Sequence, residues 1–340
     1  MRLLIVSDAW YPQVNGVVRT MDTVRRELEQ ERHVIRVVSP DLFRTVPCPT
    51  YPEIRLALRP RRGIARMAGE FAPDAIHIVT EGPLGLAARG FCVATGLPFT
   101  TSFHTRFPEY IQARCGLPAA WTYRGLRWFH SPAARTLVAT ESLRQELLRR
   151  GFPNPVRWSR GVDTRLFRPR PKDSLDLPRP VFLFVGRVAT EKNIEAFLRL
   201  DLPGSKLVVG DGPMLNDLRR RYRHVRFPGA KRGEELAQLY GASDVFVFPS
   251  RTDTFGLVLL EALASGLPVA AFPVPGPRDV IGSAPVGCLD EDLRRAALGA
   301  LELDPCACRA FAERFTWKAC AELFLSHLEP LSGAAVPAFG

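Results

Sequence analysis

The stretch Pro249-Ser250-Arg251-Thr252-Asp253-Thr254-Phe255-Gly256-Leu257-Val258-Leu259-Leu260-Glu261-Ala262-Leu263-Ala264-Ser265-Gly266 decides how the chain folds. An apolar strand, Val245 to Phe248, enters it, and a polar turn carrying Asp253 follows. Leu257, Leu260, Glu261 and Ala264 then recur at helical spacing until Gly266 closes the run. Strand, turn and helix in that order leave unpaired backbone amides at the helix N-terminus, where an anion is stabilised. Asp253 stands in the turn and Glu261 lies eight residues on. One carboxylate can meet a ligand above the helix mouth while the other reaches along the helix side. The alternative is an ordinary capped βα unit, with Asp or Thr as N-cap and Glu261 solvated.

Upstream of this unit, residues 168–180 carry four prolines and no periodic apolar face, which marks a connection between domains. A strand follows at once, Val181 to Val185, and leads into Gly186-Arg187-Val188-Ala189-Thr190-Glu191-Lys192-Asn193. Arg187 and Lys192 can hold a diphosphate there, arginine as a fork and lysine as a point charge, or can simply face solvent. Lys206 to Val209 enters Gly210-Asp211-Gly212-Pro213, and the third glycine of a dinucleotide fingerprint would fall on Leu215. Hydride chemistry on NAD thus loses its usual support. There is no P-loop and no Gly-x-Ser-x-Gly elbow. Asp290-Glu291-Asp292 looks like a metal-binding triplet, but it opens a helix and is better explained as an N-cap with acidic first-turn residues. No metal site is expected.

Toward the N-terminus, Leu3 to Val6 is a buried-strand run, followed by a loop through Asn15 and Gly16. Val17, Met21, Val24 and Leu28 then mark one helix face. A glycine before a helix lets backbone approach a phosphate or sugar, although an ordinary βα turn uses one equally well. Val34 to Ser39, Ala75 to Val79 and Phe99 to Phe103 are further strands, with a helix from Leu84 to Thr95. His104 sits at the C-terminal end of its strand, where open α/β sheets collect ligands. His77 lies inside an apolar strand and reads as a hydrogen-bonded core residue. A last helix, about Thr316 to Leu328, follows the second sheet and can pack back on the first domain.

The chain has 340 residues, 46% of them hydrophobic and 24% charged, which suits two globular α/β domains. The expected division is 1–167, a linker 168–180, 181–315, a crossover helix 316–330 and a tail 331–340. No apolar run reaches membrane-helix length, and Met1 to Asp8 is too short for a signal peptide, so a cytoplasmic location is expected. Seven cysteines, an odd number without paired spacing, suggest free thiols. The net charge of +11 favours acidic partners. Arg55, Arg59, Arg61, Arg62 and Arg66 form the best candidate for contact with an anionic membrane, peripheral at its inner face.

Taken in order, these motifs resemble the retaining glycosyltransferases of family four, with the twin-Rossmann GT-B fold. The resemblance rests on Asn15-Gly16, Ser102-Phe103-His104-Thr105, Trp158-Ser159-Arg160-Gly161-Val162-Asp163, Gly186-Arg187 with Glu191-Lys192-Asn193, Gly210-Asp211-Gly212-Pro213 and the opening stretch. Within the family the chain looks most like enzymes that glycosylate lipids, such as phosphatidylinositol mannosyltransferases and sulfoquinovosyl diacylglycerol synthases. The resemblance implies two Rossmann-like domains facing across a cleft, and hexose transfer from a UDP-sugar or GDP-mannose to a glycolipid or lipid-linked glycan. Arg187 and Lys192 would bind the donor diphosphate, Glu261 the ribose hydroxyls and Asp253 the sugar hydroxyls. The amides of Thr254, Phe255, Gly256 and Leu257 would lie near the phosphates, with Asp211 and Gly212 alongside. Gly16, after Asn15, would let the first domain close over the diphosphate, His104 would lie near the anomeric centre, and Lys231 would stand near the base. Where the family has glutamate at the first position of its Glu-x7-Glu signature, this chain has Asp253, so the sugar is open. Another GT-B enzyme such as a nucleotide-sugar epimerase, or a basic membrane or nucleic-acid binding protein, are the alternatives.

Overall fold

The computed structural model describes residues 1–13, 15–48, 51–104, 118–253 and 255–331. The chain forms two compact units, Met1–Ser159 with Trp317–Gly340, and Arg160–Thr316. Thr254, Thr105 and the tail from 332 lie outside the described residues.

The first unit contains β1 (Arg2–Val6), α1 (Gly16–Gln30), β2 (Val34–Val38), a hairpin of β3 (Thr45–Cys48) and β4 (Tyr51–Ala57), then α2 (Arg61–Phe71) and β5 (Ala75–Ile78). It continues with α3 (Pro83–Thr95), β6 (Thr100–Phe103), α4 (Ala119–His130), β7 (Arg135–Val138), α5 (Glu141–Arg149) and β8 (Pro155–Arg157). Six strands make one parallel sheet in the order β2-β1-β5-β6-β7-β8. Leu3, Leu4, Ile5 and Val6 are buried, as the continuous apolar run of a strand covered on both faces requires. Right-handed crossovers place α1 on one face and α2 to α5 on the other. The α1 face that enters the core is Val18, Met21, Val24 and Leu28, with Val17 partly buried beside them.

The last helix, α13 in chain order (Trp317–His327), packs on α1, as expected for a terminal crossover helix. Its Cys320, Ala321 and Phe324 share a core with Met21, Val24 and Trp158. The Trp158 indole donates to the Cys320 carbonyl at 3.0 Å, and the Leu331 amide donates to Asp74 O at 2.8 Å. His77 is the core residue its strand implies, with Nδ1 2.8 Å from Thr100 Oγ1 and Nε2 2.9 Å from Ser102 Oγ.

The second unit runs β9 (Val181–Val185), α6 (Ile194–Leu198), β10 (Ser205–Val209), α7 (Leu215–Arg221), β11 (Arg226–Gly229), α8 (Gly233–Ala242) and β12 (Val245–Phe248). It then runs α9 (Leu257–Ala264), β13 (Val269–Ala271), α10 (Pro275–Ile281), β14 (Gly287–Leu289), α11 (Leu293–Ala300) and α12 (Pro305–Ala312). Its parallel sheet has the order β11-β10-β9-β12-β13-β14, the doubly wound Rossmann arrangement. Asp292 caps α11 by accepting from the Arg294 and Arg295 amides, so the acidic triplet is a helix start.

Residues 160–167, which the sequence groups with the first domain, lie in the second unit. Arg309 holds them there by donating to the carbonyls of Thr164 (2.9 Å), Phe167 (2.8 Å) and Ala264 (2.9 Å). The proline-rich connection lies along the same unit, with Arg170 bridging Glu234 at 2.6 Å, Lys172 donating to the Ser243 carbonyl and Arg179 paired with Asp244. Among the described residues no helix is long and apolar enough to cross a membrane.

Candidate active site

In the second unit the strand order reverses between β9 and β12, and ligands of doubly wound sheets bind outside the carboxyl ends of strands at such a point. The loop after β9 carries Arg187 and Lys192, and the loop after β12 carries Asp253. The two loops are joined. Lys192 Nζ forms an ion pair with Asp253 Oδ1, and Asn193 Nδ2 donates to the Pro249 carbonyl at 3.0 Å. Arg187 is exposed. Among the described residues, Asp253 Oδ2 and the hydroxyl of Ser250 are buried without a hydrogen-bond partner. An uncompensated buried oxygen is costly, so an oxygen poised in this way suits an incoming hydroxyl donor.

Beyond Asp253 the chain turns through Phe255 and Gly256 into α9. Gly256, with φ 83°, is itself the N-cap residue in place of an Asp or Thr, and among the described residues no side chain caps the helix amides. Leu257 is the first helical residue. Glu261 is 3% exposed, which removes the solvated alternative. Its Oε2 accepts from the Tyr240 hydroxyl at 3.0 Å.

The Gly210-Asp211-Gly212 loop does structural work for the Arg187 loop. A Cβ on Gly210 would stand 1.8 Å from Gly186 O, and one on Gly212 would stand 2.3 Å from Val188 O. The Val188 amide donates to Asp211 O at 2.9 Å and the Met214 amide to Val188 O at 3.1 Å. The exposed Asp211 carboxylate accepts from the Gly212 amide at 2.7 Å. Lys231 lies after β11, 3.3 Å from Glu235.

In the first unit, Asn15 Oδ1 caps α1 by accepting from the Val17 and Val18 amides, each at 3.0 Å, and Gly16 opens the helix. His104 is half-buried at the end of β6, edge-on to Trp158 with ring centroids 6.0 Å apart. Two features here escape motif reading. Asp8, directly after β1, accepts from the Leu84 and Gly85 amides at 2.8 and 3.2 Å and from Thr80 Oγ1 at 2.9 Å. Burial raises its carboxyl above the usual range, outweighing these hydrogen bonds. Its signal was a lone carboxylate at a strand's C-terminal end.

The second feature is a pocket of about 210 Å³ lined by Trp10, Tyr11, Gln13, Asp41, Phe43 and Arg55. Tyr11 donates its hydroxyl to Asp22 at 2.8 Å. Burial would raise the Asp22 carboxyl, but hydrogen bonds from Arg25 and Tyr11 outweigh it and hold the group low. Arg55 thus belongs to this pocket, whereas Arg61, Arg62 and Arg66 stand exposed on α2. Among the described residues no group of three or more His, Cys, Asp or Glu side chains could hold a metal.

Comparison with known proteins agrees with this geometry. Residues 14–166 match the model of Glycosyltransferase Family 4, and residues 179–302 match that of Glycosyl transferases group 1. The chain is 32% identical over 319 residues to a GDP-mannose-dependent alpha-mannosyltransferase of Mycobacterium tuberculosis, spanning 85% of this chain and 83% of that protein. It is 28% identical over 351 residues to an alpha-monoglucosyldiacylglycerol synthase of Streptococcus pneumoniae, spanning 90% and 79%. Its fold matches sucrose-phosphate synthase from Thermosynechococcus elongatus with a TM-score of 0.76 at 20% identity, over 96% of this chain and 97% of that one.

The two Rossmann-like units carry the GT-B fold, and the family matches make the chain an enzyme that uses nucleotide-sugar donors. The chain belongs to glycosyltransferase family 4.

Proposed function

We propose that the chain is a retaining hexosyltransferase that moves a hexose from GDP-mannose or a UDP-sugar to a lipid-borne acceptor at an anionic membrane surface. The observation that carries this is the joined pair of loops at the second sheet's reversal, where Lys192 meets Asp253 beside the start of α9. Cleavage of the bond between the anomeric carbon and the diphosphate oxygen leaves charge on the nucleoside diphosphate while the sugar becomes oxocarbenium-like. Arg187, Lys192 and the α9 amides bind that charge as it develops; removing one donor of this kind costs about 2.7–4 kcal/mol in comparable sites. Asp253 takes hydroxyls of the sugar and Glu261 those of the ribose. Lys231 stands near the base, and Asp211 and Gly212 hold the Arg187 loop. In the first unit, Gly16 gives the diphosphate backbone access and His104 addresses the reacting end of the sugar.

For retention, the acceptor oxygen attacks the face that the leaving group quits. Its proton passes to the departing phosphate oxygen, so no separate protein base is required. The pocket of Trp10, Tyr11, Asp41 and Arg55 suits the polar headgroup of the acceptor, offering an aromatic platform, an acceptor and a fixed cation. Arg59, Arg61, Arg62 and Arg66 favour an anionic lipid surface. The name of the GDP-mannose-dependent relative supports the donor class, and that of the monoglucosyldiacylglycerol synthase supports the acceptor class. The test is incubation with GDP-mannose and UDP-sugars, with and without membrane lipid. Lipid-dependent product with a retained anomeric configuration by NMR is expected. Sugar release or isomerisation that ignores lipid would overturn the assignment.

A further inference from the structure

Helices α3 and α4 lie in the layer that covers one face of the first sheet, and both turn apolar side chains outward. On α3, Leu86 and Val93 are 45% and 51% exposed. On α4, Trp121 and Trp128, seven residues apart, are 71% and 57% exposed, so they share one stripe with the exposed Arg124 and Gly125. Arg89 joins the two helices. Its guanidinium lies 3.7 Å over the Trp128 ring and donates to the Trp128 and Phe129 carbonyls at 2.9 and 3.0 Å. Neither helix contains an acidic residue, and α2, which packs beside α3, adds Arg61, Arg62 and Arg66.

We propose that this Trp121–Trp128 face, with Leu86 and Val93, is inserted into the headgroup region of an anionic bilayer. Four large apolar side chains left in water are unfavourable unless something covers them. Tryptophan and arginine together suit the boundary between headgroups and acyl chains, where the ring is half-buried and the cation meets phosphate. The lack of any carboxylate on either helix removes the repulsion that an anionic surface would otherwise meet. Placement agrees as well. Leu86 and Trp121 occupy the first turns of their helices, and helices of a parallel sheet start at the edge where its strands end. His104 and the Trp10 pocket stand at that same edge, so a seated bilayer would bring acceptor headgroups to it. The proposal rests on the lipid-acceptor reading and names the residues that make the contact.

The test uses the whole chain and vesicles of dioleoylphosphatidylglycerol or dioleoylphosphatidylcholine, with no donor present. The wild-type chain should float with the anionic vesicles, and acyl chains brominated near the headgroup should quench its tryptophan emission. In Trp121→Ala/Trp128→Ala the bound fraction should fall about tenfold, while circular dichroism and UDP or GDP titration match wild type. Undiminished flotation of the double variant, or failure of wild type to bind, would overturn the proposal. So would a tryptophan-dependent dimer in sedimentation, which would give the face to a second copy. The two readings separate cleanly. Tryptophan-dependent vesicle binding by a chain that glycosylates no lipid removes only the lipid acceptor. Full transfer to vesicle lipid by the double variant removes only this surface.

Discussion

The hydroxyl of Tyr240, on α8, donates to Oε2 of the buried Glu261, on α9, at 3.0 Å. The carboxyl is therefore oriented by a neighbouring helix before any ligand arrives. Tyr240→Phe removes this donor from a buried carboxylate, at about 1–3 kcal/mol. Thermal unfolding should show a lower midpoint, and calorimetric titration with UDP and GDP should show weaker binding of the matching nucleotide. Glu261→Ala should abolish sugar transfer in a folded protein. Turnover by that variant would remove Glu261 from the ribose site.

The Lys192–Asp253 ion pair sets two effects against each other. Lys192→Ala should weaken nucleoside diphosphate binding and reduce kcat by about 10²–10³. Asp253→Asn should tighten binding of the free diphosphate, because Asp253 no longer offsets the Lys192 charge, yet it should depress transfer. Equal losses of nucleotide affinity in both variants would show that the pair acts as a structural bridge.

Gly210→Ala should be among the most disruptive small substitutions in the second unit. The added carbon meets Gly186 O at 1.8 Å, and the glycine φ is 150°. The cost should be about 2–4 kcal/mol, read as a fall of the order of 5–15 °C in melting temperature. Gly90→Ala, where the added carbon meets nothing within 4 Å, is the control and should stabilise α3 by about 0.5–1 kcal/mol.

Burial pushes the His77 imidazole down to about 3 from its ordinary 6.5. Below the ordinary value the unfolded chain binds a proton that the folded chain refuses. Stability is thus full above about pH 6.5 and falls by about 1.4 kcal/mol per unit as pH drops toward 3. The raised Asp8 carboxyl acts in the opposite sense between 3.8 and its raised value, since the folded chain binds that proton more tightly. Urea midpoints measured from pH 7 to 4 should fall steeply in wild type and less steeply in His77→Gln. Parallel slopes would mean that His77 is protonated within the fold.

Elements that are apolar all round were legible in the sequence. Leu3 to Val6, Val181 to Phe184 and Val245 to Phe248 are buried on both sides, so no periodicity was needed to find them. Helix α2 was hidden by its arginines, although Ile64, Met67, Ala68 and Phe71 keep helical spacing beneath them. Helix α4 buries only Tyr123, Phe129 and His130, so its apolar residues do not mark one face. The hairpin carries Pro47 and Pro52, which break the usual strand signal. At the site, the residue types of Lys192, Asp253 and Glu261 were readable, but their partners were not. Lys192 and Asp253 are 61 positions apart and meet only because β9 lies beside β12. Tyr240 reaches Glu261 from a separate helix, and the Trp10 pocket gathers residues scattered from 10 to 55.

The chain leaves the first unit at Ser159 and rejoins it at Trp317. On the ribosome, this orders assembly: the intervening unit has emerged in full before the final helix becomes available to cover α1. A nascent first unit must therefore wait with Met21, Val24 and Trp158 uncovered, a natural target for chaperones. Truncation ahead of Trp317 would make that exposed intermediate permanent.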